Sequence, residues 1–504
     1  MRILILSLIL ALPLQAQTTP VFTDADRAEK VKATAATVDE KFREYAERRR
    51  MPGFAYGVVL DGELLYSAGF GFARLLPPAP ATTRSLFRIA SMSKSVTAVA
   101  ILQLRDQGSL GLDDPIAKYL PEAAGLTYLT TDAPEITIRH LLTHSAGFPE
   151  DNPWGDRQLA DSDEELMALV EGGVSFSNVP GVEFEYSNLG FALLGQIVQA
   201  VSGLDFRDYT RRHIFEPLEM SDTVWEYELA SPDYLALGYD WVDEAWVNVP
   251  LEHHGAYGAM GGLITSVQDF SAYVALHLSA WPPRDDPDTG PLKRSSLREM
   301  HHPWRFAGVM PNYRYATGRE CPSARAYGYG LRWLEDCEGR VMVGHTGGLP
   351  GFGSNWTMLP DYGLAVMSFD NVTYGSTSTI NTAILDGIVA AAGLEPRELP
   401  ASAILKTRKE QLAALLPDWD DAEDSGIFAD NFFMDNRLAD LTARSQGLYA
   451  GAGQIVGIGE MRAVNQLRGS FVIEGLERSI EVFFTLTPEK DPLIQQVRMS
   501  LVGE

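Results

Sequence analysis

FRIASMSKSVTAVAILQL, residues 87–104, is the stretch from which the rest of the chain can be read. Ser91 and Lys94 stand three residues apart near its start, and no charged residue follows Lys94 until Arg105. On a helix, side chains three apart share a face, so the amine lies about one turn from the hydroxyl. A helix that is apolar on nearly every side is a buried helix. Burial lowers an amine's pKa, and a serine hydroxyl needs a neutral base of this kind to become a nucleophile. Ser-x-x-Lys also arises by chance, so the pair needs partners elsewhere in the chain.

Upstream, residues 24–50 place Val31, Ala35, Val38, Phe42 and Tyr45 at steps of four and three, the spacing of an amphipathic helix. FAYGVVL and ELLYSAGFGFA then read as two strands joined at Asp61-Gly62, a strong hairpin signal, and begin an antiparallel sheet. The loop 77–80 is rich in proline and brings the chain to Ser91, where a loop enters a helix. Backbone N–H groups at a helix start lack intrahelical partners and favour an anion.

Downstream, 138–143 and 163–171 read as short helices. PGVEFEYSNLGFALLGQIVQAVSG is a turn feeding a long apolar helix. Tyr186 and Asn188 lie two apart on its extended entry, so their side chains can point to one side. GAMGGLITSVQDFSAYVALHL pairs a glycine-rich turn with a helix that Ser266 could cap. Residues 280–321 show proline, aspartate and little periodicity, as in a long surface excursion. YGYGLRWL, GRVMVGHT, GSNWTML and YGLAVMSFDN then read as strands, with a last helix near 380–392. VMVGHTGG delivers His345, Thr346, Gly347 and Gly348 to a strand end.

A linker is expected at 395–402, where EPRELPAS holds two prolines. Residues 403–504 read as a separate α+β accessory domain without a catalytic constellation. The first sixteen residues have the basic start, short apolar run and small-residue ending of a secretory signal peptide. The expected location is therefore exported, periplasmic or secreted, with no transmembrane anchor. With 67 acidic against 41 basic residues, the net charge of -26 argues against nucleic acid or anionic lipid as a partner. An exported protein could pair its two cysteines, Cys321 and Cys337, although spacing alone leaves the bridge open. His301, His302 and His345 do not complete a zinc-ligand spacing with them, so no metal or other cofactor is called for.

Taken together, Ser91-Met92-Ser93-Lys94, Tyr186-Ser187-Asn188 and His345-Thr346-Gly347 resemble the motifs of the serine β-lactamase and penicillin-binding-protein superfamily. The likeness is to its class C β-lactamases, D-Ala-D-Ala carboxypeptidases, D-aminopeptidases and related esterases. FRIASMSK, ITIRHLLTHSAGFP, GVEFEYSNLGFALLG, GAMGGLITSVQDF and YGYGLRW carry it across roughly residues 24–394. It implies an α+β fold of the β-lactamase/transpeptidase type, an antiparallel sheet flanked by helices beside a helical domain. It also implies an acyl-enzyme on Ser91, with Lys94 and Tyr186, as phenolate or phenol, moving the proton. Asn188, His345, Thr346 and Gly347 would contact a small-molecule or peptide substrate. The N–H groups of Ser91 and Gly348 would form the oxyanion hole, where one lost donor typically costs about 3 kcal/mol of barrier.

One departure matters. Lysine usually stands where this chain has His345, and histidine carries no permanent charge near neutral pH. Amide or ester hydrolysis, most naturally of a D-amino-acid peptide or small ester, is therefore the expected activity. A β-lactamase proper and a silent peptidoglycan- or peptide-binding protein are the alternatives. His144, His253 and His254 read as structural, and oligomeric state stays open.

Overall fold

The structure, a computed structural model, describes residues 19–315 and 318–503. The leader read at 1–16 lies outside the described residues. The chain divides into two compact units, Asp24–Pro396 and the residues from Arg397 onward together with those up to Thr23.

The larger unit is built on a nine-stranded antiparallel sheet. Its order is Ala79–Pro80, Glu63–Arg74, Gly53–Leu60, Leu364–Asp370, Phe352–Leu359, Val341–Leu349, Arg332–Asp336, Ser323–Tyr327 and Arg305–Met310. Gly53–Leu60 and Leu364–Asp370 are buried at every residue because helices cover both faces of the sheet. Ser378–Ala392 and Ala35–Arg48 lie on one face, and Val267–Ser279 packs on the other. The Asp61-Gly62 hairpin forms as expected, with both residues at positive φ.

Beside the sheet, Ser93–Asp106 packs against Asn188–Ser202. Ser93–Leu104 is buried along its whole length, which its lack of charge beyond Lys94 requires. At the start of Asn188–Ser202, Ser187 Oγ accepts from the Gly190 N–H at 3.2 Å. Asp151 accepts from the Asn188 and Leu189 N–H groups at 2.6 and 2.9 Å. These acceptors satisfy donors that the helix itself cannot, and the carboxylate also suits the positive end of its dipole.

Two sequence expectations need correction. YGYGLRWL is not one strand: it is split between Ser323–Tyr327 and Arg332–Asp336 by a turn. Gly330 takes φ +66 in that turn, and a β-carbon there would stand 2.6 Å from the Lys94 carbonyl oxygen. The 280–321 excursion also holds a helix, Arg294–Met300, and the edge strand Arg305–Met310. Edge strands face one neighbour only, so this one needed no strong alternating pattern.

The second unit has the helices Ala403–Leu415 and Leu438–Ala452 and a five-stranded antiparallel sheet. Ile480, Val482, Phe484 and Leu486 point inward, as their alternation requires. The acidic residues around Trp419 are exposed, but the tryptophan they flank is not. Trp419 is buried against Phe428 and Phe432, and its Nε1–H donates to Ser445 Oγ at 2.7 Å.

Cys321 and Cys337 form a disulfide with their Cα atoms 5.4 Å apart, closing a span of 16 residues beside Ser323–Tyr327 and Arg332–Asp336. Loop closure of that length is worth about 3 kcal/mol. Cys337→Ser is expected to lower unfolding stability by about that amount, measured by denaturant melts, with reductant affecting the wild type but not the variant.

Candidate active site

The nucleophile turn comes first. Ser91 lies in a short 3-10 turn, Ala90–Met92, that leads directly into Ser93–Asp106. Ala90 has φ +50, a left-handed conformation that L residues avoid at a cost of about 1–3 kcal/mol. The turn is pinned from two sides. Ser93 Oγ donates to the Ala90 carbonyl at 2.7 Å and accepts from the Leu263 N–H at 3.1 Å. On its other side runs the strand Val341–Leu349, so close that a β-carbon at Gly347 would stand 2.2 Å from the Ile89 oxygen. Gly347, implied by the resemblance to contact substrate, is buried and its contact is with this turn. Gly348, its neighbour and the implied oxyanion donor, is partly open.

Lys94 is 0% exposed. Its Nζ donates to Ser91 Oγ at 3.0 Å, Asn188 Oδ1 at 2.7 Å and the Met260 carbonyl at 2.9 Å. Burial lowers its pKa to about 7; Asp156 and Asp151 oppose the shift, and Arg332 adds to it. The amine can therefore be neutral near neutral pH at hydrogen-bond distance from the hydroxyl it would deprotonate.

Tyr186 stands beside Ser91, and its ring lies 4.9 Å from Lys94 Nζ. Burial raises its pKa far enough that the side chain is a phenol; Arg332 and the Ser91 side chain only partly offset this. His144, read as structural, holds Tyr186 in place. Its Nδ1 accepts from the Ser187 N–H at 3.1 Å, and its ring packs 4.2 Å from that of Tyr186.

Asn188 was expected to meet a substrate amide. In the structure it is fully buried, with its oxygen on Lys94 and its Nδ2 donating to Asn152 Oδ1 at 3.1 Å. Here it holds the Lys94 amine. His345 is also buried: Nδ1 donates to the Thr346 carbonyl at 2.6 Å, leaving Nε2 to accept from the Tyr327 hydroxyl at 2.8 Å. Burial, Arg332 and Lys94 hold its pKa well below the ordinary value, so it is neutral. Thr346 is partly open.

Three residues at the site escaped the sequence reading. Asp151 and Asp156 lie in the loop and short helix before Asn188, and Asp156 Oδ2 accepts from the Tyr374 hydroxyl at 3.2 Å. Burial raises the Asp156 pKa to about 6, with Lys94 pulling the other way. The third, Arg332, is exposed, and its guanidinium sits 5.5 Å from the Tyr186 ring centroid. It stands within the quoted YGYGLRW motif, where its distance from the other clusters hid it.

The family model described as Beta-lactamase matches residues 38–390. The chain belongs to the Beta-lactamase family. Penicillin-binding protein 4* of Bacillus subtilis is 34% identical over 194 residues, 36% of this chain and 41% of that protein. Beta-lactamase-like protein 2 of Dictyostelium discoideum is 31% identical over 253 residues, 49% of this chain and 46% of that protein. The chain thus spans less than half the length of either relative.

Among solved structures, the octameric penicillin-binding protein homologue from Pyrococcus abyssi has a TM-score of 0.59 at 22% identity, covering 92% of this chain and 99% of that one. A class C β-lactamase gives 0.56 at 19%, covering 72% of this chain and 99% of that one. These likenesses are of fold. The Beta-lactamase family is, at the coarse level, one of serine hydrolases.

Fluorophosphonate labelling of Ser91 is expected to slow as pH falls below about 7, because Lys94 then gains the proton it must lack to act as a base. Asn188→Ala should slow labelling by about tenfold at pH 8, because the ammonium that forms as Lys94 takes the Ser91 proton loses an acceptor.

Proposed function

We propose that the chain is an exported serine hydrolase that cleaves D-amino-acid peptides or related small esters through an acyl-enzyme on Ser91. The observation that carries this reading is Lys94 Nζ, fully buried and 3.0 Å from Ser91 Oγ. Export rests on the leader sequence alone. Neutral Lys94 takes the Ser91 proton as Oγ attacks the substrate carbonyl. The Tyr186 phenol relays a proton to the leaving group as the carbon–nitrogen or carbon–oxygen bond breaks. Water then attacks the ester on Ser91, with the same groups run in reverse. The N–H groups of Ser91 and Gly348 are the assigned donors to the oxyanion.

The charge pattern supports a substrate with a free carboxylate. His345 is neutral, so the exposed cation beside Tyr186 is Arg332. A guanidinium offers paired donors in a geometry that matches a carboxylate. Thr346 lies alongside as a hydroxyl donor.

A panel of D-amino-acid amides, D-Ala-D-Ala peptides, short-chain aryl esters and a cephalosporin tests the reading. Turnover of D-Ala-D-Ala peptides is expected, with Ser91→Ala reducing it at least about a thousandfold. Arg332→Ala should raise KM for those peptides by about tenfold and affect a neutral ester less. Saturable peptide binding without turnover, and without labelling of Ser91, would establish a silent binder instead.

A further inference from the structure

A cavity of about 280 Å³ opens along the sheet next to the reacting groups. His345, Thr346 and Arg332 belong both to its lining and to the site, whereas Ser91 lies outside it. Further along the sheet it is lined by Leu334, Thr357 and Arg325. In the antiparallel pairing Arg325 faces Leu334 and Arg332 faces Tyr327. Arg325 and Arg332 are therefore diagonal neighbours on one face, a relation that sets residues about 7–8 Å apart.

Both arginines are exposed, and among the described residues neither has a carboxylate partner. Three nearby arginines differ in this respect, while Arg305 on the next strand donates to the Val182 carbonyl. Arg314 is paired with Glu320, Arg319 with Asp336 and Arg340 with Asp386. A single solvated arginine is ordinary. Two unpaired ones lining one cavity, in a chain with 67 acidic and 41 basic residues, form a local positive field that suits an anion with two charged groups.

We propose that this cavity receives the substrate's leaving group and selects leaving groups that carry two carboxylates. The chemical class is an amide-linked D-amino acid with an acidic side chain. Arg332 takes its α-carboxylate and Arg325 its side-chain carboxylate, while Leu334 contacts the methylenes between them. As the amide bond breaks, the leaving nitrogen takes the proton first removed from Ser91. The inference rests on the reading of Ser91 as nucleophile and names the substrate class of that same site.

The test follows fluorophosphonate labelling of Ser91 in the full chain, at constant ionic strength, against rising D-glutamate, D-alanine or D-lysine. D-Glutamate is expected to halve labelling at a concentration about tenfold lower than D-alanine does. Arg325→Ala should bring the two concentrations together, and Arg325→Lys should keep most of the difference. Arg325→Glu should favour D-lysine over D-glutamate. Equal protection by D-glutamate and D-alanine, no protection by any of the three, or a D-glutamate preference that survives Arg325→Ala would each overturn the inference. Such results leave Ser91 labelled and the hydrolase reading standing. Absence of labelling without any competitor would instead fail the nucleophile reading, and this inference with it.

Discussion

Lys94 places a titratable amine where water does not reach, and surrounds it with three oxygen acceptors. Ser91 Oγ, Asn188 Oδ1 and the Met260 carbonyl lie at 3.0, 2.7 and 2.9 Å from Nζ. Each acceptor comes from a different piece of chain, so the amine is held only if all of them are in place. The turn of Gly330 closes over the Lys94 backbone, Asp151 fixes the start of the Asn188 helix, and the glycine-rich segment at 258–262 presents Met260. Desolvation without such acceptors would merely expel the charge; with them, both protonation states are accessible.

The same economy shows in the backbone. Ala90, His144 and Tyr374 are non-glycine residues at positive φ, and all three touch the site. Residues in that region persist only where surrounding contacts over-determine them. The contacts are visible at Ala90, whose carbonyl is held by Ser93, and at His144, whose ring is enclosed by Tyr186, Phe191 and Tyr327.

What the sequence revealed follows from what is local in it. The Ser91–Lys94 spacing, the Asp61-Gly62 hairpin and the alternation at Ile480–Leu486 are short-range patterns, and each has its expected form in the structure. Three clusters far apart in sequence were brought together by likeness to a family, because no periodicity links residue 91 to 186 or 345. The burial of Asn188 and Gly347 was not legible, since a motif says which residues meet but not which of them faces solvent. Arg332 stands inside the YGYGLRW motif without any local mark of function. Its significance depends on the neutrality of His345 and on the absence of a carboxylate partner among the described residues, neither of which is written in one dimension.

The buried amine also has a thermodynamic side. Lys94 has an ordinary pKa of 10.5 and a folded value of about 7, so between those two pH values the unfolded chain binds the extra proton. Stability from this residue therefore rises with pH across that window. Asp156 does the opposite. Its pKa rises from 3.8 to about 6 on folding, so its contribution falls as pH climbs through that lower range. Together the two contributions are smallest between about pH 6 and 7, at the edge of the range in which the amine changes its protonation state.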